Sequence, residues 1–244
     1  MKLHFFLTIA VLAQLASGHY IFTDLLIGNR KQFTSHKDPV RWARDVLPLK
    51  DVKSKDVTCN VLPRGLKANG TATVKAGDGV GFQVIQSEDE RYVGYWYIVH
   101  PGPASFYLGR VPFGETAESW DGSGTSWFKI DEFSVDGTSW SFAAYDSWYP
   151  WGKSELFTTI PADTPSGEYL LRIEHIALHD IDVVPELYVS CAQIKIVDGS
   201  SGSPPNLVSI PGYIAPNDPG LIADIHDPDM KSYTAPGPPV WRGD

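Results

Sequence analysis

Short runs in which apolar and polar residues alternate with a period of two recur along the chain, separated by clusters of Gly, Asp, Ser and Pro. This pattern predicts β-strands joined by turns. Thr71-Ala72-Thr73-Val74-Lys75 precedes the turn Ala76-Gly77-Asp78-Gly79, and an alternating stretch follows over 80–85. Further strands are predicted over 95–99, 105–108, 127–130 and 139–144, and the two strongest over 167–177 and 186–197. Asp121-Gly122-Ser123-Gly124 and Asp136-Gly137 supply turns between them. A long apolar period of 3.6 residues is absent, which argues against a helical domain, and many short strands with regular turn signals indicate a β-sandwich. Residues 198–206 are rich in Gly, Ser and Pro and in isolation resemble a linker. The segment beyond them carries too few apolar residues to fold alone, so one domain over 19–244 is expected, with its C-terminal segment wrapping back over it. Neither an internal repeat nor a cysteine-rich carbohydrate-binding module is found in the pattern.

The one long apolar run is at the N-terminus. Lys2 supplies a positive start, residues 3–16 are largely apolar, and Ala16-Ser17-Gly18 is the small-residue pattern that signal peptidase cuts after. Residues 1–18 therefore read as a signal peptide, too short to span a membrane, and the mature chain as secreted and extracellular. Cleavage leaves His19 first. Its α-amino group, with an unperturbed pKa of about 7.7–8.0, can lose its proton near neutral pH. The amine and Nδ1 of the same residue can then close a six-membered chelate ring, two nitrogen donors in an arrangement that suits copper.

Composition narrows the partners. The formal net charge is -9, one unit more negative once Lys2 leaves, and without a basic run this excludes nucleic acid and anionic membranes. A neutral polysaccharide is compatible. Cys59 and Cys191 are the only cysteines, an even count that reads as a disulfide in an exported chain, closing a very long loop. The chain-entropy model puts such a crosslink at about 4–5 kcal/mol. Asn69-Gly70-Thr71 is an N-glycosylation sequon. Aromatic residues make up 12% of the chain, eight of them Trp. That abundance fits sugar-stacking surfaces, although for any single Trp a core position is the first expectation.

Among the remaining histidines, His36 lies in a charged, loop-like stretch and His226 in the C-terminal segment. His100 ends the apolar-aromatic run Tyr95-Trp96-Tyr97-Ile98-Val99 and precedes Pro101-Gly102-Pro103, residues that stop a strand and can hold a side chain in a fixed pose. His175 and His179 sit four apart at the end of the predicted strand over 167–177.

Ordered along the chain, these strings form a series. His19-Tyr20-Ile21-Phe22, Val99-His100-Pro101-Gly102-Pro103, His175-Ile176-Ala177-Leu178-His179 and Tyr188-Val189-Ser190-Cys191-Ala192-Gln193-Ile194 occur in that order. Ile210-Pro211-Gly212, Asp218-Pro219-Gly220 and Ser232-Tyr233-Thr234-Ala235-Pro236-Gly237-Pro238 follow. The series resembles the fungal cellulose-active lytic polysaccharide monooxygenases, auxiliary activity family 9, from His19 to Trp241. The resemblance implies an all-β, immunoglobulin-like (fibronectin III-like) sandwich with long surface loops and one copper ion on a flat face. His19 would give its amine and Nδ1 and His100 a third nitrogen, with Tyr188 in the axial position. Cys59 and Cys191 match the family's long-range disulfide. His179 matches a histidine that hydrogen-bonds oxygen species near the metal, Tyr233 an aromatic of the substrate surface, and Tyr20 a further candidate there. Tyr188 and Ser190 share one strand face and Cys191 the other, so the oxygen would approach copper while the sulfur points into the sandwich.

Two features depart from the family's pattern. Glu186 stands where relatives carry Gln, two residues before the axial tyrosine. An ionised carboxylate only accepts hydrogen bonds and would favour the oxidised metal, whereas a protonated one could donate. The acidic run Ser87-Glu88-Asp89-Glu90-Arg91 reads as a solvated loop. The resemblance implies a secreted monomer that uses copper, an external electron donor and O2 or H2O2 to cleave cellulose or a related β-glucan at C1 and/or C4. A copper-binding protein of this fold without lytic activity, and a metal-free carbohydrate-binding sandwich, are the alternatives.

Overall fold

A computed structural model of the chain describes residues 18–28, 39–41, 43–62, 68, 70–85, 97–135, 141–178 and 184–243. Among them run β1 (Ile21–Ile27), β2 (Val40–Arg41), β3 (Ala72–Lys75), β4 (Gly79–Ile85), β5 (Ala104–Arg110), β6 (Thr125–Phe133), β7 (Glu155–Thr159), β8 (Gly167–Ala177), β9 (Glu186–Val197) and β10 (Val208–Ser209). The strands form a three-stranded sheet, β1-β4-β7, and a seven-stranded sheet, β10-β6-β5-β8-β9-β2, in which β3 also joins β9. Every pairing is antiparallel except that of β3 with β9. The all-β sandwich expected from the pattern is the architecture observed, and the immunoglobulin-like description that the resemblance implied is compatible with it.

Strands β8 and β9 explain why their sequence signal is the strongest. Tyr169, Leu171, Ile173 and Ala177 of β8, Tyr188, Ala192, Ile194 and Ile196 of β9 and Phe106 of β5 belong to the core between the sheets, with Phe22 and Phe82 of the smaller sheet opposite. The alternate residues Leu170, Ile176, Leu187, Val189 and Cys191 belong to a second apolar layer on the outer face of the large sheet. Loop residues such as Val57, Trp120, Trp148, Ile214 and Leu221 cover that face. A strand buried on both faces must be apolar at nearly every position, so its bounds stand out. The segment after residue 206 completes this cover. Val208 pairs with Trp127, Trp241 donates its amide to Lys129 O at 2.8 Å, and Tyr213 and Ile225 pack in the outer layer.

The outer layer reverses one expectation. Tyr188 and Cys191 do lie on opposite faces of β9, but Tyr188 points between the sheets and Cys191 points out under the loops. Both faces are buried, so alternation alone gives no sign of which is the inner one. Cys191 is disulfide-bonded to Cys59 across a sequence separation of 132 and fastens the loop over 50–60 to the large sheet. Of the five tryptophans among the described residues, Trp120, Trp127, Trp148 and Trp241 are buried, in keeping with the core expectation for an individual Trp.

Two predicted strands are loops where they are described. Residues 97–99 carry no strand, because Ile98 exchanges both of its backbone hydrogen bonds with the turn at Gly152 and Lys153, at 2.9 Å each. Residues 141–144 form a turn closed by Ala144 N–H on Ser141 O. Residues 95–96 and 139–140 lie outside the described residues.

Candidate metal centre

One end of the sandwich gathers the candidate residues. Antiparallel pairing sets the start of β5 against the end of β8 (Ala104 opposite His175) and the end of β8 against the start of β9 (Ala177 opposite Glu186, His175 opposite Tyr188). The start of β1 reaches the same end, since Ser190 Oγ donates to Phe22 O at 2.8 Å. His19 and Tyr20 immediately precede β1, and His100 precedes β5 by four residues.

His100 is held by the segment that follows it. Pro101 O accepts from Leu178 N–H at 2.9 Å and Pro103 O from Ile176 N–H at 3.0 Å, so the Pro-Gly-Pro turn is laced onto the end of β8. Between them, Gly102 has φ of 137°, and a Cβ there would stand 1.9 Å from Ile176 O. Only glycine meets both demands. Gly102→Ala is expected to cost about 1–3 kcal/mol through backbone strain. It should also move His100, so thermal unfolding would show the loss and copper titration a weakened site. An unchanged melting temperature would contradict the packing just described.

The rings then stack. His100 lies over Tyr188 with centroids 5.8 Å apart and planes 19° apart, and His19 lies 6.5 Å from the same Tyr188 ring. Tyr20 stacks on Tyr188 from beneath at 4.0 Å, and its Oη shares a 2.5 Å hydrogen bond with His175 Nδ1. A Cβ on Gly18 would fall 2.9 Å from His100 Nε2. The backbone leading into His19 therefore passes beside that nitrogen, and the α-nitrogen of His19 is two bonds beyond the Gly18 Cα.

Glu186 is almost wholly buried and receives two donors. Tyr188 Oη donates to Oε2 at 3.0 Å, and Lys50 Nζ lies 3.0 Å from Oε1. Burial pushes the Tyr188 hydroxyl well above the ordinary tyrosine range, and the Glu186 carboxylate adds to the shift. The phenol therefore keeps its proton and donates it in a hydrogen bond to Glu186. Tyr20 is shifted the same way, by burial first and then by Tyr188 and Glu186.

The donor set would fit copper if the chain began at His19: two imidazoles, the amine that such a terminus would carry, and a neutral phenol oxygen, with nitrogen ligands predominating. No group of three or more His, Cys, Asp or Glu side chains suited to a metal occurs among the described residues.

Other candidates fall elsewhere. Tyr20 is fully buried, which overturns its assignment to the substrate surface: it is the floor beneath Tyr188. Tyr233 packs edge-on against Trp148 with centroids 4.9 Å apart and donates its hydroxyl to Gly220 O at 2.7 Å. It fastens the C-terminal segment to the outer layer. His226 is exposed in that segment. His179, His36, Asn69 and the run over 87–91 lie outside the described residues. Sequence reasoning missed Lys50, remote in the chain from Glu186, and the pairing of His175 with Tyr20. The alternation of β8 puts His175 on the inner face with Ile173 and Ala177, and that was a usable signal for the second.

Comparison with known proteins supplies the last observation. The family described as Auxiliary Activity family 9 (formerly GH61) matches residues 19–233. The AA9 family lytic polysaccharide monooxygenase H of Malbranchea cinnamomea is 42% identical over 95% of this chain and 96% of its own length. The AA9 family lytic polysaccharide monooxygenase C of Emericella nidulans is 37% identical over the full length of both. Among solved structures, a cellulose-active polysaccharide monooxygenase from M. thermophila superimposes with a TM-score of 0.75 at 27% identity, over 93% of this chain and all of that one.

Proposed function

The chain belongs to auxiliary activity family 9 and is a lytic polysaccharide monooxygenase, and from that premise we propose that it is a secreted, single-domain copper enzyme cleaving cellulose or a related β-glucan at C1 and/or C4. The observation that carries the copper assignment is the convergence of the His19 backbone nitrogen, His100 Nε2 and the Tyr188 ring at one end of the sandwich. His19, through its amine and Nδ1, His100 and the Tyr188 hydroxyl would hold the ion. Copper held there would supply a one-electron redox couple which, once reduced by an external donor, would serve to activate O2 or H2O2 for oxidation of the sugar chain.

The protein's own residues orient and tune. Tyr20 and the Pro-Gly-Pro turn fix the rings of Tyr188 and His100, so the donors need no reorganisation when the metal changes state. Glu186 takes the Tyr188 proton in a hydrogen bond and is itself balanced by Lys50, which lowers the electrostatic effect of placing a carboxylate so near the metal. Ionised Glu186 is the form this arrangement supports, because both its oxygens face donors. Glu186→Gln removes the negative charge while retaining an acceptor for Tyr188. The copper midpoint potential is expected to rise, and Lys50→Met, which removes the countercharge, is expected to lower it. Equal potentials in both variants and the parent, by spectroelectrochemistry, would sink this role. Stability should change little in either variant, since Lys50 is more than half exposed and such pairs contribute about 0–1 kcal/mol.

The activity is tested by incubating the copper-loaded chain that begins at His19 with cellulose and ascorbate and analysing soluble products by mass spectrometry. Oxidised oligosaccharides that vanish without ascorbate or with a chelator are expected. One tightly bound copper without such products from any β-glucan would instead favour a non-lytic copper protein.

A further inference from the structure

The loop over residues 145–153 carries a group of aromatic rings that neither core nor candidate metal centre uses. Its fold is set by one aromatic turned inward. Trp148 is buried in the outer apolar layer and donates Nε1–H to Phe142 O at 2.8 Å, Ser147 Oγ donates to Ser141 O at 2.8 Å, and Tyr149 N–H to Ser134 O at 2.9 Å. With Trp148 as the anchor, the tyrosines on either side of it, Tyr145 and Tyr149, turn outward. Tyr145 and Tyr149 are 46% and 47% exposed, and Trp151 is half-buried. Tyr145 and Trp151 meet at 4.9 Å, planes tilted by 50°. Tyr149 leans on Phe133 at 4.8 Å and 18°, and Lys153 Nζ lies 5.0 Å from the Tyr149 ring centroid.

The loop is continuous with the candidate metal centre. Ile98, two residues before His100, is hydrogen-bonded to Lys153 O and to Gly152 N–H. Phe133 ends β6 opposite Ala104, the first residue of β5, and Ser154 O receives the amide of Val84 near the end of β4. Those strand ends are the ones that frame His19, His100 and Tyr188. The rings therefore stand at the same end of the sandwich, tied to the His100 segment by two backbone hydrogen bonds.

The chemistry of the group selects its ligand. Its exposed side chains are aromatic rings with polar tips and an ammonium group, and Leu, Ile and Val are absent from 145–153. A dry protein interface is built around a closely packed apolar centre. Flat rings flanked by hydroxyl and ammonium donors suit a ligand with apolar C–H faces and a hydroxyl rim, which describes a pyranose chain. We propose that this loop is a glycan-binding platform. Tyr145 and Trp151 stack against pyranose rings of a β-linked glucan, and Tyr149 Oη and Lys153 Nζ hydrogen-bond its hydroxyls, extending the substrate path beyond His100. The inference rests on the polysaccharide reading above and adds a subsite to it.

The test is retention of the copper-loaded chain beginning at His19 on phosphoric-acid-swollen cellulose without reductant, so that binding is read apart from chemistry. Tyr145→Ala/Tyr149→Ala should raise the dissociation constant about tenfold, as the loss of one stacked ring and one hydrogen-bonding hydroxyl implies. Its copper affinity should match the parent's. Tyr145→Phe, which keeps the ring and cannot disturb the loop's backbone, should bind within about twofold of the parent. Retention of the double variant equal to the parent, or failure of the parent itself to be retained, overturns the platform. Failure of the parent to release oxidised products is a separate result that strikes the proposed activity and leaves the binding measurement standing.

Discussion

Replacing His100 with Ala is expected to abolish tight copper binding and, with it, release of oxidised oligosaccharides. His100 supplies one of three nitrogen donors, and the other two belong to a single residue, so its loss leaves a bidentate site that water completes. Changes merely behind a ligand lower metal affinity roughly 10–100-fold, and removal of a ligand should exceed that range. Among the described residues no group of three or more His, Cys, Asp or Glu side chains suited to a metal offers a replacement. The His175 Nδ1 is already engaged by Tyr20. His226→Ala is the matched control, since that residue is exposed in the C-terminal segment and should leave copper affinity unchanged. Calorimetric titration reads both. Unaltered affinity in His100→Ala would remove the residue from the ligand set.

Glu174→Ala should be the most destabilising single change in the outer layer, at about 3–5 kcal/mol. Arg172 and Glu174 are both essentially inaccessible, joined by a 2.6 Å bond between Nη2 and Oε2. The guanidinium also donates to Val57 O and Thr58 O and packs 5.1 Å from the Tyr107 ring centre. Tyr213 donates its hydroxyl to the same carboxylate and accepts from Arg172 at 3.0 Å. Burial by itself would lower the Arg172 pKa, and the Glu174 carboxylate more than reverses this, so the arginine stays charged. Truncating Glu174 strands that charge in an apolar layer and frees the turn at 55–58, one residue before Cys59 of the disulfide. The double replacement Arg172→Met/Glu174→Leu removes both charges and should recover most of the loss, because a buried pair exchanged for apolar residues is often neutral. Urea denaturation distinguishes the two. A loss below about 1 kcal/mol in Glu174→Ala, the range of exposed ion pairs, would show that the pair carries no such burden.

These effects bear on what the sequence could reveal. The bounds of β8 and β9 were read correctly because burial on both faces leaves an almost unbroken apolar string, even with Arg172 and Glu174 inside it. β1 was passed over as a strand: Thr23 and Asp24 are buried within it, and its register with β4 shifts between Phe22 and Leu25, which spoils the alternation. β7 was missed because its five residues alternate for too short a distance to stand out. Residues 97–99 have strand composition, yet Pro101 and Pro103 follow closely and Ile98 finds its partners in a remote turn.

The site divides in the same way. His19, His100 and Tyr188 carry local strings that an ordered resemblance can pick out. Tyr20 was misread because a tyrosine beside an N-terminus suggests a surface, whereas its ring is the floor on which Tyr188 rests. Lys50 has no local signal at all; only the fold carries it to Glu186. The aromatic abundance was legible only for the chain as a whole; that Tyr145, Tyr149 and Trp151 gather in one loop depends on Trp148 turning in.

The proposed metal centre turns on the amine of His19, and one comparison tests it. Copper is titrated calorimetrically into the chain beginning at His19 and into the chain that keeps Gly18 before it. With Gly18 attached, the nitrogen beside His100 is an amide and the extra residue occupies the space against His100 Nε2. One tight copper in the first chain and binding weaker by more than about a hundredfold in the second is the predicted result. Equal affinity in the two would mean that the amine is not a ligand and that the metal centre described for this protein is wrong.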